Sequence, residues 1–161
     1  MGIFQVRPIT VGDRGWLSRL IRERWGSGIV VSKARLHEPG KLEGFMVSRD
    51  GELLGALTYS VDEDACEVVT IDSMREGIGV GSLLLEAVRR KALSLGCHRL
   101  WLITTNDNLP ALRFYQKRGL RLVAVYPNAL ERSRMLKPGI PLVGRDGIPL
   151  RDELELELLL A

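Results

Sequence analysis

Three alternating glycines in Gly77-Ile78-Gly79-Val80-Gly81-Ser82 run directly into Leu83-Leu84-Leu85-Glu86-Ala87-Val88, a stretch of good helix formers. The residues just before, Glu67-Val68-Val69-Thr70-Ile71, read as a strand. A strand, a glycine turn and a helix start expose backbone N–H groups at the positive end of a helix, and such a site holds phosphate oxygens. The chemistry to expect is therefore capture of a phosphate-bearing cofactor. Three common phosphate loops fail on particular residues. A dinucleotide fingerprint needs a third glycine where Ser82 stands, and an acidic residue near the end of the next strand, where Thr104 and Thr105 stand. A Walker A loop ends in Gly-Lys-Ser/Thr, against Gly81-Ser82-Leu83 here. A kinase glycine loop bridges two strands and does not open a helix.

The elements that must hold this turn follow from the patterning. Ile3 to Ile9 reads as a strand. Trp16, Leu17, Leu20, Ile21 and Trp25 recur at helical spacing, with caps in Thr10 to Asp13 and a stop at Gly26-Ser27-Gly28. Ile29 to Leu36 fits either a strand or an irregular segment. Gly44 to Ser48 and Glu52 to Val61 form a hairpin about Arg49-Asp50-Gly51, and Ala65 to Ile71 is the next strand. The helix after the glycines carries its apolar stripe on Leu84, Ala87, Val88, Ala92 and Leu95 and ends at Gly96. Arg99 to Thr105 is a buried strand. Asn108 caps a helix with Pro110 in its first turn and Gly119 at its end, and Leu120 to Tyr126 is a further strand. The proline-bearing connection Pro127 to Asp152 carries a short helix around Ala129 to Leu136. Glu153 to Leu158 alternates as an outer strand, leucines inward and Glu153, Glu155 and Glu157 on its wet face. Antiparallel strands followed by strand–helix–strand–helix–strand predict an α+β fold on a central mixed sheet.

Composition removes several classes. The 161 residues suit a single domain with a substantial core. The +3 net charge is spread along the chain, so no nucleic-acid partner is expected. Cys66 and Cys97 stand far apart without metal spacing, which argues against a disulfide framework, a zinc site or any other metal. The N-terminus has no signal-peptide core and no apolar run approaches spanning length, so the expectation is a cytoplasmic protein with no membrane partner.

Two segments together resemble one family. Glu76-Gly77-Ile78-Gly79-Val80-Gly81 is similar to the acetyl-CoA motif Q/R-x-x-G-x-G/A of the GCN5-related N-acetyltransferases (GNAT), with Glu76 where the pattern has Gln or Arg. Asn108-Leu109-Pro110-Ala111-Leu112-Arg113-Phe114-Tyr115-Gln116-Lys117-Arg118-Gly119-Leu120 resembles the family's N-x-x-A-x-x-F-Y-x-x-x-G-F, with Leu120 replacing the last Phe. The resemblance covers roughly residues 44 to 126. It implies one acetyltransferase domain over residues 1–161 with a mostly antiparallel mixed sheet flanked by helices. It also implies acetyl-CoA as co-substrate and an amine on a small molecule or a protein as acceptor, attacked directly in a ternary complex.

The same resemblance assigns roles. Backbone donors from Gly77, Ile78, Gly79, Val80, Gly81 and Ser82 would take the pyrophosphate, glycine permitting the close approach. Val69 and Ile71 would give main-chain bonds to the pantetheine arm, and one N–H there would polarise the acetyl carbonyl. Asn108 would touch the cofactor near the acetyl group. Tyr115 would protonate the leaving thiolate. Glu67 is the first candidate base and Asp72 the second. His98 shows no partner at useful spacing, and His37 is more readily a loop residue than a substrate contact. The competing class is a domain that binds acyl-CoA without turning it over. The C-terminal strand offers an edge for a homodimer.

Overall fold

The computed structural model describes residues 2–161. Nine strands and four α-helices follow one another: β1 (Gln5–Pro8), α1 (Arg14–Trp25), β2 (Val30–Ser32), β3 (Arg35–His37), β4 (Glu43–Arg49), β5 (Glu52–Asp62), β6 (Ala65–Ser73), α2 (Val80–Ser94), β7 (Arg99–Thr105), α3 (Leu109–Lys117), β8 (Arg121–Tyr126), α4 (Ala129–Leu136) and β9 (Glu153–Leu159). Seven strands make one sheet in the order β1-β4-β5-β6-β7-β9-β8, and β2 and β3 form a separate hairpin. All neighbours in the large sheet run antiparallel except β6 and β7, which the helix α2 connects as a parallel pair. This is the mixed α+β sheet that the patterning predicts.

Two cores grip the sheet from opposite faces. Leu84, Leu85, Val88 and Ala92 of α2 pack with Leu54, Leu57, Val68 and Leu102. The buried stripe thus takes in Leu85 and leaves out Ala87, which is only partly buried, and Leu95, which is the C-cap of α2 and half exposed because the helix has ended there. On the other face Leu17, Leu20 and Ile21 of α1 cover Met46 and Ala56. Gly26 stops α1 in the left-handed conformation that favours glycine, with φ at 80°.

Asp13 ties β1 to the start of α1. Its carboxylate accepts from both terminal nitrogens of Arg7 (2.6 and 2.9 Å) and from the N–H and hydroxyl of Thr10 (2.7 and 3.0 Å). The Arg7 guanidinium first, with Thr10 adding to it, holds this carboxyl well below the usual carboxylate range. A depressed folded pKa supplies stability that is present above the unfolded value of about 3.9 and is lost as pH falls. Asp13→Asn should therefore cost about 1–2 kcal/mol at pH 7, the partial exposure of Arg7 screening the pair. Urea unfolding at pH 7 and again at pH 3 checks this: the gap between wild type and variant should narrow in acid, and an equal gap at both would refute the assignment.

Two expectations about the C-terminal strand are overturned. β9 is not an outer strand; it inserts between β7 and β8, and β8 is the edge. Both edges of β9 are used, so it has none left to pair across a two-fold axis. Glu153 and Glu155 are accordingly buried rather than wet. They are tolerated because partners reach them: the Lys33 backbone N–H donates to Glu153, Arg99, the Lys33 side chain and the Tyr126 hydroxyl engage Glu155, and Arg99 also engages Glu157. Burial raises the Glu155 carboxyl, but these three donors outweigh it and hold it below the usual range. The ambiguous segment from Ile29 to Leu36 resolves as the β2–β3 hairpin. Among the described residues no helix is long and apolar enough to cross a membrane.

Candidate active site

The site begins where the one parallel pair comes apart. β6 and β7 are in register from Ala65↔Arg99 to Val68↔Leu102 and not beyond. From Val69 onward the β7-facing edge of β6 has no strand partner among the described residues. On its other side β6 carries an irregularity: Thr70 lies opposite Thr58 and Val68 opposite Tyr59, so Val69 is opposite neither. The opening is a cleft of about 710 Å³. Val69 and Ile71 line it, together with Asp72, Thr104, Asn108 and Tyr115.

The glycine turn closes one end of this cleft. Gly79 is the N-cap of α2 at a φ of 91°, and Gly77 also has positive φ, at 78°. A side chain at either would be strained. The first intrahelical bond is Leu83 N–H to the Gly79 carbonyl at 3.1 Å. The N–H groups of Val80, Gly81 and Ser82 therefore precede the helical ladder, and among the described residues no side chain caps them. Gly77, Gly79, Val80, Gly81 and Ser82 line the cleft, whereas Ile78 packs against the main core.

The two sequence motifs meet here. A Cβ placed on Gly81 would lie 2.9 Å from the Phe114 ring, so glycine lets α3 seat against the start of α2. Arg118 Nε donates to Ser82 Oγ at 2.7 Å while its guanidinium sits 4.8 Å from the Phe114 centroid. Asn108 caps α3 by accepting from Ala111 N–H at 3.3 Å. Tyr115 lies on the buried face of the same helix, and burial, with Asp72 nearby, drives its phenol well above the ordinary tyrosine value. Asp72 accepts from the Trp25 indole N–H at 3.1 Å; burial raises its carboxyl and that hydrogen bond opposes the rise. Trp25 reads as a core residue in sequence, yet it orders a carboxylate in the cleft. Only the packing of α1 on the sheet reveals that.

Glu67 is placed differently. It is 3 % exposed and lies outside the lining of the large cleft, so it is neither a solvent-facing strand residue nor openly presented to it. The hairpin covers it: Ser32 Oγ donates to Glu67 Oε2 at 2.7 Å, and His37 Nε2 lies 3.5 Å from Oε1. Burial pushes this carboxyl up, opposed by the Ser32 hydrogen bond and by Arg35 and Lys33. No sequence signal pairs Ser32 or His37 with Glu67, because the contact joins a three-residue strand to one 35 positions away. On the same side a smaller cavity of about 320 Å³ is lined by Lys33, Tyr126, Arg132 and Glu153. Cys66 and Cys97 are both buried, and burial carries the Cys66 thiol to about 12, which removes it as a nucleophile. Among the described residues no cluster of three or more His, Cys, Asp or Glu could hold a metal ion.

Uncapped amides at a glycine turn, and an unpaired strand edge leading away from them, are a fit for a diphosphate joined to an amide-bearing arm. The chain belongs to the acetyltransferase (GNAT) family, whose profile matches residues 14–120, a family of acetyl-CoA-dependent acetyltransferases. It is 43% identical over 139 residues to the uncharacterized protein YdhI of Bacillus subtilis, covering 86% of this chain and 87% of that one. It is 29% identical over 125 residues to the amino-acid acetyltransferase of Pasteurella multocida, covering 74% of this chain but only 28% of that protein. Its fold is similar, at a TM-score of 0.69, to a GNAT family acetyltransferase from Elizabethkingia anophelis with acetyl-CoA bound, at 21% identity and covering 98% of each chain.

Proposed function

We propose that residues 1–161 act as one N-acetyltransferase unit, moving the acetyl group of acetyl-CoA to an amine by direct attack in a ternary complex. The observation that carries this is the continuity of the cleft from the free amides of Val80, Gly81 and Ser82 to the unpaired edge at Val69. Bound acetyl-CoA would supply an activated thioester. The amides from Gly77 to Ser82 hold its diphosphate, and Val69 and Ile71 align its arm through main-chain bonds. Val69, opposite no residue on either neighbouring strand, is the N–H best placed to steady charge on the acetyl oxygen; one such donor is worth roughly 10²-fold or more in rate. Glu67 takes the proton from the acceptor nitrogen, directly or through water. Tyr115, kept protonated by burial, returns a proton to the departing thiolate, and Asn108 fixes the arm beside it.

The acceptor enters from the hairpin side, through the cavity that Glu153 and Arg132 line. There, among the described residues, the buried Glu153 carboxylate accepts only the Lys33 N–H, at 3.1 and 3.4 Å. Free-thiol release from acetyl-CoA across a panel of primary amines tests the activity, and a CoA-induced rise in melting temperature tests cofactor binding separately. A protein that neither binds CoA nor releases thiol would sink the reading. Tyr115→Phe should lower kcat by about 10²-fold with CoA affinity unchanged; an unaltered kcat removes the phenol from the mechanism. One observation favours a second reading, binding of acyl-CoA without turnover: Glu67 is covered and outside the cleft lining. Clear CoA binding with no thiol release from any amine would select it.

A further inference from the structure

The β2–β3 hairpin faces the sheet with three buried residues, Val30, Ser32 and His37, while Arg35 opposite Ser32 stays exposed. Hydrogen positions in the group they cover follow from counting. An ionised Glu67 has no hydrogen to give. The single Ser32 hydroxyl hydrogen goes to Glu67 Oε2, at 2.7 Å. The 3.1 Å contact between Ser32 Oγ and His37 Nε2 must then be donated by the ring. His37 consequently carries its hydrogen on Nε2, and that nitrogen also sits 3.5 Å from Glu67 Oε1. Glu67 Oε1 is fully buried and has no hydrogen-bond partner among the described residues.

We propose that Ser32 and His37 are positioning residues that clamp one oxygen of Glu67 and leave the other free to receive a proton. The proposal rests on the reading of Glu67 as the base. Its logic is one of unequal oxygens. Oε2 is fixed by a hydroxyl that is itself fixed by an imidazole. Oε1, buried without a donor, is the more basic of the two, since an unsatisfied buried acceptor gains most from a proton or a water. The charged and titratable groups around this carboxylate are Lys33, Arg35 and the His37 ring from the hairpin and Glu153 and Glu155 from β9. Burial and Arg35 hold His37 below its ordinary value, which favours the neutral ring with one hydrogen to donate.

The test reads the carboxyl itself and needs no acceptor. In protein labelled with ¹³Cδ-glutamate, the Glu67 resonance is assigned by its loss in Glu67→Gln and followed through a pH titration. Ser32→Ala should raise the midpoint by about one unit or more, because a hydrogen bond to a charged group is lost. Ser32→Thr, which keeps the hydroxyl, should restore it, and His37→Gln should move it less than Ser32→Ala does. The ¹⁵N spectrum of the wild-type ring should report hydrogen on Nε2. An unmoved midpoint in Ser32→Ala, or hydrogen on Nδ1, overturns the proposal. Should Ser32→Ala fail to fold, the ring tautomer decides it alone. Thiol release by Glu67→Gln answers the other question, whether this carboxylate takes the acceptor's proton, so the clamp and the base assignment can fail separately.

Discussion

Glu67→Gln should lower kcat/KM for acetyl transfer by about 100-fold or more while leaving the Kd for CoA within about twofold. A protonated amine cannot attack, and a primary amine with a pKa near 10.4 is almost wholly protonated at pH 7. Gln matches the shape of Glu and still accepts from Ser32, but it takes up no proton. Because burial raises the Glu67 carboxyl, the acid limb of the kcat/KM profile should lie above the ordinary glutamate value of about 4.3, and it should disappear in the variant. The sign of the stability effect is opposite to that of Asp13. A folded pKa above the unfolded one means that the folded state binds the extra proton, so Glu67 stabilises the fold in acid and that contribution is lost as pH rises through the folded pKa. Glu67→Gln should therefore lose less stability than wild type between pH 4 and pH 8. Steady-state kinetics and chemical denaturation on the same two proteins check both arms. Unchanged turnover would remove Glu67 as the base.

Gly81→Val should weaken CoA binding by about 100-fold or more. The new Cβ would meet the Phe114 ring at 2.9 Å, and the branched methyl groups add bulk at that contact, beside the amides of Val80, Gly81 and Ser82. α3 is pushed off the start of α2, which disturbs the turn whose donors are meant for a diphosphate. Titration calorimetry with CoA measures the loss, and circular dichroism confirms that the sheet and helices persist. Gly79→Ala separates backbone strain from obstruction. Its Cβ would meet nothing within 4 Å, so it should cost about 1–2 kcal/mol of stability through its φ of 91° and change affinity far less. Full CoA affinity in Gly81→Val would place the anion elsewhere.

What the amino-acid order determined by itself was whatever depends on neighbours along the chain. The glycine turn, the Asn108 cap, the Asp50-Gly51 hairpin and the α4 helix inside the long connection were all legible, because turn chemistry, capping and apolar periodicity act over a few residues. So were the two motifs that carry the family resemblance, and with them the cleft-lining positions of Gly79, Gly81, Asn108 and Tyr115. Only the tertiary structure decided which strands are neighbours. Period-two alternation in Glu153 to Leu158 says that one face is apolar; it does not say whether the other meets water or meets Lys33, Arg99 and Tyr126. The insertion of β9 between β7 and β8 turned a supposedly wet face into partly buried ion pairs. The same long-range placement laid a three-residue strand over Glu67 and supplied the Ser32 and His37 contacts, since strand order and hairpin docking are set by burial across the whole sheet rather than by any local preference.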